Sequence, residues 1–298
     1  MKIAVVQKRT TYRKFVVEEH DPLLARLLRR HDPTVMRLRS SHEAHEETVR
    51  EVDRALDALG VDVVFRGGPR GRIPPRVDLV VTIGGDGTLL AASHQIGDGV
   101  PLLGINSAPE HSIGFFCGGK KGNVLSTLRR AIDGRLPRSE LARMRVDLNG
   151  KTLHARVLNE ALFCHASPAA TSRYILRITR ANGTFVEEDV RSSGMWIGPA
   201  AGSTAAQRSA GGKVLPLGSK RIQYVVREPY IAIGKRLRFS VGLLDAEGKL
   251  TLRSKIRDGR VFVDGHRIAH AVTIGDVLVM RRSAEPLTVL GLATKRRT

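Results

Sequence analysis

A single carboxylate set among glycines is the feature of this sequence that first points to chemistry. Gly84-Gly85-Asp86-Gly87-Thr88 follows directly on the apolar run Val77–Ile83. Glycines at this density weaken any regular element, so they serve geometry, letting the backbone turn tightly and approach a ligand. The N–H groups of Gly84, Gly85, Gly87 and Thr88 can then face phosphate oxygens, helped by the N-terminus of the helix that begins near Thr88. An anionic Asp86 in such a cradle needs a task. It can accept a proton from an attacking hydroxyl, or bind a divalent ion that bridges phosphates. The plainer alternative is that it caps the helix. Neither GxxxxGK[ST] nor a strand-borne GxGxxG occurs, which disfavours a standard P-loop NTPase or Rossmann dehydrogenase.

Four further segments set polar residues into otherwise apolar sequence. Leu103-Gly104-Ile105-Asn106 leads through a polar loop to Ile113-Gly114-Phe115-Phe116. Val157-Leu158-Asn159-Glu160 ends a β-rich run, where a satisfied polar pair is the ordinary alternative to a ligand contact. Gly202-Ser203-Thr204-Ala205-Ala206 leads to Ser209-Ala210-Gly211-Gly212, which also reads as a capped helix packed through small residues. Val261-Phe262-Val263-Asp264-Gly265-His266 lies late in the chain. His/Cys clusters with metal-ligand spacing are absent from the sequence, so no protein-held metal site is expected.

The elements that must position these residues fall into two regions. In the first third, Lys2–Gln7, Val61–Phe65, Val77–Ile83 and Pro101–Ile105 read as strands. Val49, Val52, Leu56 and Leu59 give Ser41–Leu59 a helical period closed by Gly60, and Leu89–Ile96 reads as the helix after the glycine turn. This βαβ alternation predicts a doubly wound parallel sheet with ligands at the carboxyl ends of its strands. From Arg143 the chain becomes β-rich. Expected strands are Arg145–Leu148, Thr152–Val157, Tyr174–Arg180, Thr184–Val190, Ile222–Val226, Leu237–Val241, Lys249–Arg253, Val261–Val263 and Val277–Met280. Asn149-Gly150 and Asn182-Gly183 are hairpin turns, and Ser203–Ala210 is the one helical interruption. The domain plan is therefore α/β over 1–142, a β-sandwich-like domain over 143–290, and a basic tail over 291–298.

With 298 residues, 42% hydrophobic and 26% charged, the composition is that of a globular protein. No apolar run approaches the length of a membrane span, and the start of the chain does not read as a signal peptide. Cys117 and Cys164 read as buried small hydrophobes rather than a disulfide framework. A cytoplasmic enzyme is the expectation. The net charge of +20 favours anionic partners. Nothing resembles an aromatic-interleaved RNA motif, a zinc finger or a basic zipper, so nucleic acid is not an expected partner, and neither is a membrane.

Taken in order, GGDGT, GIN…GFF, NE, GSTAA…SAGG and FVDG resemble the NAD kinase family from about residue 78 to 290. The resemblance is greatest to the branch typified by plant NADH kinase, through Gly104-Ile105-Asn106-Ser107 with a lengthened loop, Ala200–Ala206, and Tyr224-Val225-Val226-Arg227-Glu228-Pro229. It implies transfer of a phosphoryl group from ATP, with a divalent ion such as Mg²⁺, to the 2′-hydroxyl of the adenosine ribose of NAD⁺ or NADH, giving NADP(H). By resemblance Asp86 accepts the hydroxyl proton, and Gly87 and Asn106 lie at the nucleotide. Asn159 and Glu160 contact the dinucleotide, while Ser203, Thr204, Ala205 and Ser209 line the adenine and ribose pockets. Arg191 meets a phosphate or is a solvated surface arginine, and His266 stands where many members carry Gln. Ser193 stands where many members carry Asp, and Ala206 where they carry Tyr. The first change removes a negative charge near the ligand and the second a stacking surface, placing the choice between NAD⁺ and NADH there. A homo-dimer or tetramer is implied. Two alternatives remain at this point: a lipid kinase of the diacylglycerol or sphingosine type, which shares the GGDGT turn, and a non-catalytic nucleotide- or nucleic-acid-binding protein.

Overall fold

The structure, a computed structural model, describes residues 1–231, 233 and 236–292. It divides into two compact units. Among the described residues the first comprises Met1–Ser139 and Leu287–Leu292, and the second Glu140–Pro286.

The first unit opens with β1 (Lys2–Gln7), a π-helical segment (Tyr12–Glu18), α1 (Pro22–Arg29) and the long α2 (Met36–Ala58). It continues through β2 (Asp62–Gly67), β3 (Leu79–Gly84), α3 (Asp86–Ser93), β4 (Leu102–Asn106), β5 (Cys117–Lys120) and α4 (Val124–Ile132), and leaves along β6 (Arg138–Leu141). The strands β2-β1-β3-β4 are neighbours in that order and all parallel, with β5 also parallel to β4. The chain therefore steps from β1 to one side and from β3 to the other, so the switch point of the sheet lies between β1 and β3. β3 is buried along its whole length, as a strand covered on both faces must be. On α2, His45, Thr48, Val52, Ala55 and Leu56 are buried at helical spacing, and Val52, Ala55 and Leu56 pack with Ile3, Val5, Leu79 and Ile83.

The second unit carries β7 (Met144–Leu148), β8 (Lys151–Val157), β9 (Ala161–His165), β10 (Ser172–Thr179), β11 (Phe185–Ser192), β12 (Gly194–Pro199) and the short α5 (Ala206–Ser209). β13 (Ile222–Arg227), β14 (Val241–Leu244), β15 (Lys249–Ser254), β16 (Gly259–Val263), β17 (Ile268–Val272) and β18 (Val277–Arg282) complete it. Among the described residues these form two six-stranded antiparallel sheets, β11-β10-β15-β18-β7-β8 and β14-β13-β12-β9-β16-β17. Inward residues of both sheets, among them Val146, Leu176, Leu250 and Met280 from one and Phe163, Ile197, Tyr224 and Val261 from the other, share a single core. The Asn149-Gly150 turn has both residues at positive φ, 50° and 80°, the geometry a two-residue hairpin demands. Arg143, fully buried, donates to the carbonyls of Glu285 at 2.7 Å and Pro286 at 3.1 Å, tying the segment where the chain enters this unit to the one where it leaves.

Four expectations are corrected. The second region does not run to residue 290: β19 (Leu287–Leu290) lies parallel to β4 in the first unit's sheet, with Val289 opposite Leu102. Leu237–Val241 is not a strand up to Val241, because the N–H groups of Arg238 and Phe239 donate to the Glu188 carboxylate instead of to a ladder. Ser203–Ala210 is a 3₁₀ turn over Ala200–Thr204 followed by α5, broken where Ser203 Oγ is stapled to the Ala200 carbonyl and the Leu215 N–H. The helix expected from Leu89 starts at Asp86. Residues 293–298 of the expected basic tail lie outside the described residues.

Candidate active site

In the first unit the glycine turn sits at the carboxyl end of β3, beside the switch point. None of its three glycines has a positive φ. Their need is close approach. A Cβ on Gly84 would collide with Thr88 Oγ1, and one on Gly85 would stand 2.6 Å from Ser112 Oγ. A Cβ on Gly87 would meet nothing within 4 Å, and Gly87 is exposed. Gly84 and Gly85 are thus explained by the chain's own packing, while Gly87 faces open space. As early residues of α3, Asp86 and Gly87 have N–H groups without an intrahelical acceptor.

Asp86 does not cap α3. Gly85 is the N-cap residue, and the half-buried Asp86 carboxylate turns to the Gly-Phe-Phe segment instead. Phe115 N–H donates to Oδ2 at 2.9 Å and Phe116 N–H to Oδ1 at 2.7 Å. Both oxygens keep a further lone pair with which to accept from a hydroxyl. Asn106 sets this arrangement up. It is buried, donates through Nδ2 to the Ser112 carbonyl at 2.8 Å and accepts from Ala108 N–H at 3.3 Å. Its side-chain amide packs under Gly114, whose φ of 62° turns the loop. Asn106 therefore holds the loop that presents the two N–H groups to Asp86. Cys117 follows that loop; burial, and after it the charge of Asp86, push its thiol up to about 12. Cys117 and Cys164 are both free and only half-buried.

In the second unit the Leu158-Asn159-Glu160 turn before β9 is organised by Asp264, which the sequence motif contains but which sequence reasoning passed over in favour of His266. The Asp264 carboxylate accepts the N–H groups of Leu158 at 2.9 Å, Asn159 at 2.7 Å and Glu160 at 3.0 Å. Asp264 N–H returns a bond to the Glu160 carbonyl at 2.9 Å. The only signal for it in the sequence is an Asp-Gly step able to take positive φ, which Asp264 does at 46°. Glu160 is 7% exposed, and burial followed by the Asp264 charge pushes its carboxyl up to about 7. Asn159 Oδ1 and Glu160 Oε2 are buried and accept no hydrogen bond. Buried acceptors without partners are costly, and a ligand carrying hydroxyl or amino donors satisfies them.

The Ala200–Gly212 segment packs on this turn. A Cβ at Gly198 or Gly202 would collide with the Asn159 carbonyl, to which buried Gln207 donates at 3.3 Å. Gln207 in turn accepts from Gln223 at 3.1 Å. Ser203 is spent on backbone groups, whereas Thr204 and Ala205 are half-exposed and Ser209 is exposed. His266 is exposed in the β16–β17 turn that begins at Asp264. Arg191 and Ser193 are not brought to this cluster. They flank the Gly194 end of β12, which is paired with Arg227, while Gly198 stands at the Asn159 end. Five residues of strand separate Ser193 from Gly198, roughly 16 Å. The expected loss of negative charge at Ser193 is also made good: its hydroxyl is hydrogen-bonded to the Glu228 carboxylate.

Among the described residues no group of three or more His, Cys, Asp or Glu is placed to hold a metal ion, and no helix is long and apolar enough to cross a membrane. A resident Mg²⁺ cage does not fit this donor set.

A glycine turn with a fixed carboxylate at a sheet switch point, followed by a two-sheet unit with unsatisfied buried acceptors, defines a nucleotide-binding protein of the α/β-plus-β class. Comparison with known proteins makes that class specific. Residues 35–136 match the ATP-NAD kinase N-terminal domain. A rice protein (Oryza sativa subsp. japonica) named probable NADH kinase is 33% identical over 263 residues, 83% of this chain and 81% of its own length. The NADH kinase of Arabidopsis thaliana is 36% identical over 230 residues, 72% of each chain. Similar folds occur in an NAD kinase from Archaeoglobus fulgidus in complex with ATP, with a TM-score of 0.67 at 20% identity over 100% of this chain and 95% of that one. Yeast NADH kinase complexed with NADH has a TM-score of 0.70 at 18% identity, over 99% and 84%. The chain belongs to the NAD kinase family.

Proposed function

We propose that this enzyme transfers the γ-phosphoryl group of ATP to the 2′-hydroxyl of the adenosine ribose of NAD⁺ or NADH, producing NADP(H). The observation that carries the assignment is the Asp86 carboxylate, fixed by two backbone N–H groups beside the open face of Gly87. In the reaction the 2′-oxygen forms a bond to the γ-phosphorus, the bond from that phosphorus to the ADP oxygen breaks, and the hydroxyl proton passes to Asp86. Asn159 and Glu160 take donors of the dinucleotide on their free buried oxygens. Thr204, Ala205 and Ser209 line the nucleotide, and the N–H groups at Gly85 and Gly87 meet phosphate. A divalent ion enters with the triphosphate, because the protein offers at most a single carboxylate at the turn; Mg²⁺ retains water and phosphate ligands readily in such sites. The enzyme acts in the cytoplasm, where free thiols such as Cys117 and Cys164 persist, and as a homo-oligomer, which light scattering coupled to gel filtration will size.

The relatives named by comparison are NAD and NADH kinases, and the lipid-kinase and non-catalytic alternatives gain no support from them. The deciding experiment is the initial rate of NADP(H) formation from NAD⁺ and from NADH, each with ATP and with polyphosphate, alongside diacylglycerol as acceptor. Label appearing only in the lipid would exclude the assignment.

A further inference from the structure

The switch point between β1 and β3 has two rims. One is the glycine turn that follows β3. The other is Lys8, the residue after β1, whose N–H donates to the Ile83 carbonyl at 2.9 Å. The strand register pairs Gln7 with Ile83, which sets Lys8 opposite Gly84. Its Cβ lies 3.2 Å from where a Cβ on Gly84 would stand, so a side chain at 84 would crowd the start of the lysine.

The charge census around Lys8 is unusual. Arg9 is held by Glu18, with Nε at 2.7 Å, and Arg13 is paired with Glu18 and Glu46. His42 accepts or donates at Thr10 at 3.0 Å and lies 3.7 Å from Glu46. His45, 2% exposed, meets Ser107 Oγ at 2.9 Å and is held neutral by burial, its pKa pushed down to about 4. Asp86 is committed to Phe115 and Phe116. Lys8 is half-buried, and among the described residues no carboxylate lies within ion-pair distance of it. Burial lowers its pKa, and no acid offsets that shift. A half-buried ammonium without a counter-ion is unfavourable in the unliganded protein unless something anionic visits it. The structure puts it where the carboxyl ends of β1 and β3 diverge, the position at which open α/β sheets take phosphorylated ligands.

We propose that Lys8 binds the terminal phosphates of ATP, supplying the positive charge that the glycine turn's N–H groups and Asp86 cannot. The role rests on the phosphoryl-transfer function above and adds a side chain to it. A compact ammonium can serve here as a point charge among the phosphate oxygens. As the γ-phosphoryl leaves ADP, negative charge builds on the bridging and β-oxygens, and Lys8 stabilises it without transferring a proton.

The test uses the full chain with Lys8→Met and Lys8→Arg. Two quantities are measured: binding of inorganic tripolyphosphate by calorimetry, and kcat/KM for ATP and for NAD(H). Lys8→Met should lower kcat/KM for ATP about 100-fold, the size of losing one charge-stabilising donor, and weaken tripolyphosphate about tenfold. KM for NAD(H) should move by less than about twofold, since the residues assigned to the dinucleotide, Asp86, Asn159 and Glu160, are left in place. Lys8→Arg should recover most of the tripolyphosphate affinity. Unchanged tripolyphosphate binding in Lys8→Met, or an equal rise in KM for ATP and for NAD(H), overturns the proposal. Should Lys8→Met fail to fold, Lys8→Gln takes its place, with the same outcomes decisive. If the wild-type chain binds tripolyphosphate through Lys8 yet forms no NADP(H), the kinase assignment fails while Lys8 stands. If it forms NADP(H) and the variants match it, Lys8 fails while the assignment stands.

Discussion

The Asp86 region and the Asn159–Glu160 region solve opposite problems. Around Asp86 the protein satisfies its own functional group: both carboxylate oxygens accept backbone N–H groups, and Asn106 fixes the loop that brings them. Around Asn159 and Glu160 the protein satisfies the backbone, through Asp264, and leaves two side-chain oxygens buried and unpartnered. A group that must accept a proton at a defined point gains from being fixed before the ligand arrives. A group that must recognise a ligand gains from being incomplete until then, because a partner lacking the right donors leaves it unsatisfied. The two regions also respond to acid in opposite senses, through a histidine held neutral beside one and a carboxyl held protonated in the other.

The largest test of that contrast is Asp86→Asn. An amide can neither take the hydroxyl proton nor accept on both atoms, so kcat should fall about 1,000-fold, or about 4 kcal/mol of barrier. One of the Phe115 and Phe116 N–H groups then faces an NH₂, so melting temperature should drop by a few degrees rather than stay fixed. A variant that keeps near-normal NADP(H) formation would remove Asp86 from the chemistry.

Next in size is Asp264→Ala. It strips the acceptor from three N–H groups and should cost at least about 3 kcal/mol of stability in urea titration. Dinucleotide affinity should fall with it while tripolyphosphate affinity is kept. Loss of both in equal measure would mean that the two regions are not separable as described.

The two regions should contribute opposed pH dependences of about 3 kcal/mol each, separated by comparing wild type with Glu160→Gln in the stability of the unliganded protein against pH. His45 is pushed down from 6.5 to about 4, mainly by burial, so its contribution is present above its unfolded value and is lost as pH falls from 6.5 towards 4. Glu160 is pushed up from 4.5 to about 7, by burial and then by Asp264, so its contribution is present below 4.5 and is lost as pH rises towards 7. Glu160→Gln should abolish the alkaline limb alone, and saturating NAD(H) should shift it. Because the two windows overlap with opposite slopes, the decisive quantity is the difference between wild type and Glu160→Gln, and a difference that stays constant from pH 4.5 to 7 would contradict the buried, unpaired state of Glu160.

The smallest effect is the most pointed. Gly87 is an exposed helical residue with nothing near its missing Cβ. Gly87→Ala should therefore leave the protein as stable or up to about 1 kcal/mol more so, while kcat/KM falls. Full activity in this variant would show that no ligand approaches the turn on that side.

Much of the Asp86 region was legible in the sequence because its residues are close in the chain and its strand is apolar throughout. The glycine turn, the strand before it and the parallel architecture follow from local rules. Even there the structure decides the reasons: Gly84 and Gly85 answer close contacts within the chain, and Asp86 begins the helix without capping it. The second region was legible only as motifs. Asp264 lies more than a hundred positions from the turn it organises, and no local pattern couples them. Ser193 read as a lost charge because Glu228 reaches it only through the β12–β13 pairing. The strand Leu287–Leu290 was assigned to the wrong unit because a short apolar run fits a parallel or an antiparallel sheet equally well.

The sequence by itself determined the chemistry on offer: a carboxylate in a phosphate-approaching turn, an Asn-Glu pair, and an ordered set of motifs that resembles the NAD kinase family. Those are matters of residue type and short spacing, which the chain carries wherever it folds. The tertiary structure decided which polar groups are spent and which are free. It gave Asn106 to the loop, Ser203 to the backbone and Asp264 to three N–H groups, and it left Asn159 Oδ1, Glu160 Oε2 and Lys8 without partners. Hydrogen-bond and charge satisfaction depend on what packing brings within about 3 Å, and that distance is set by the fold and not by the order of residues.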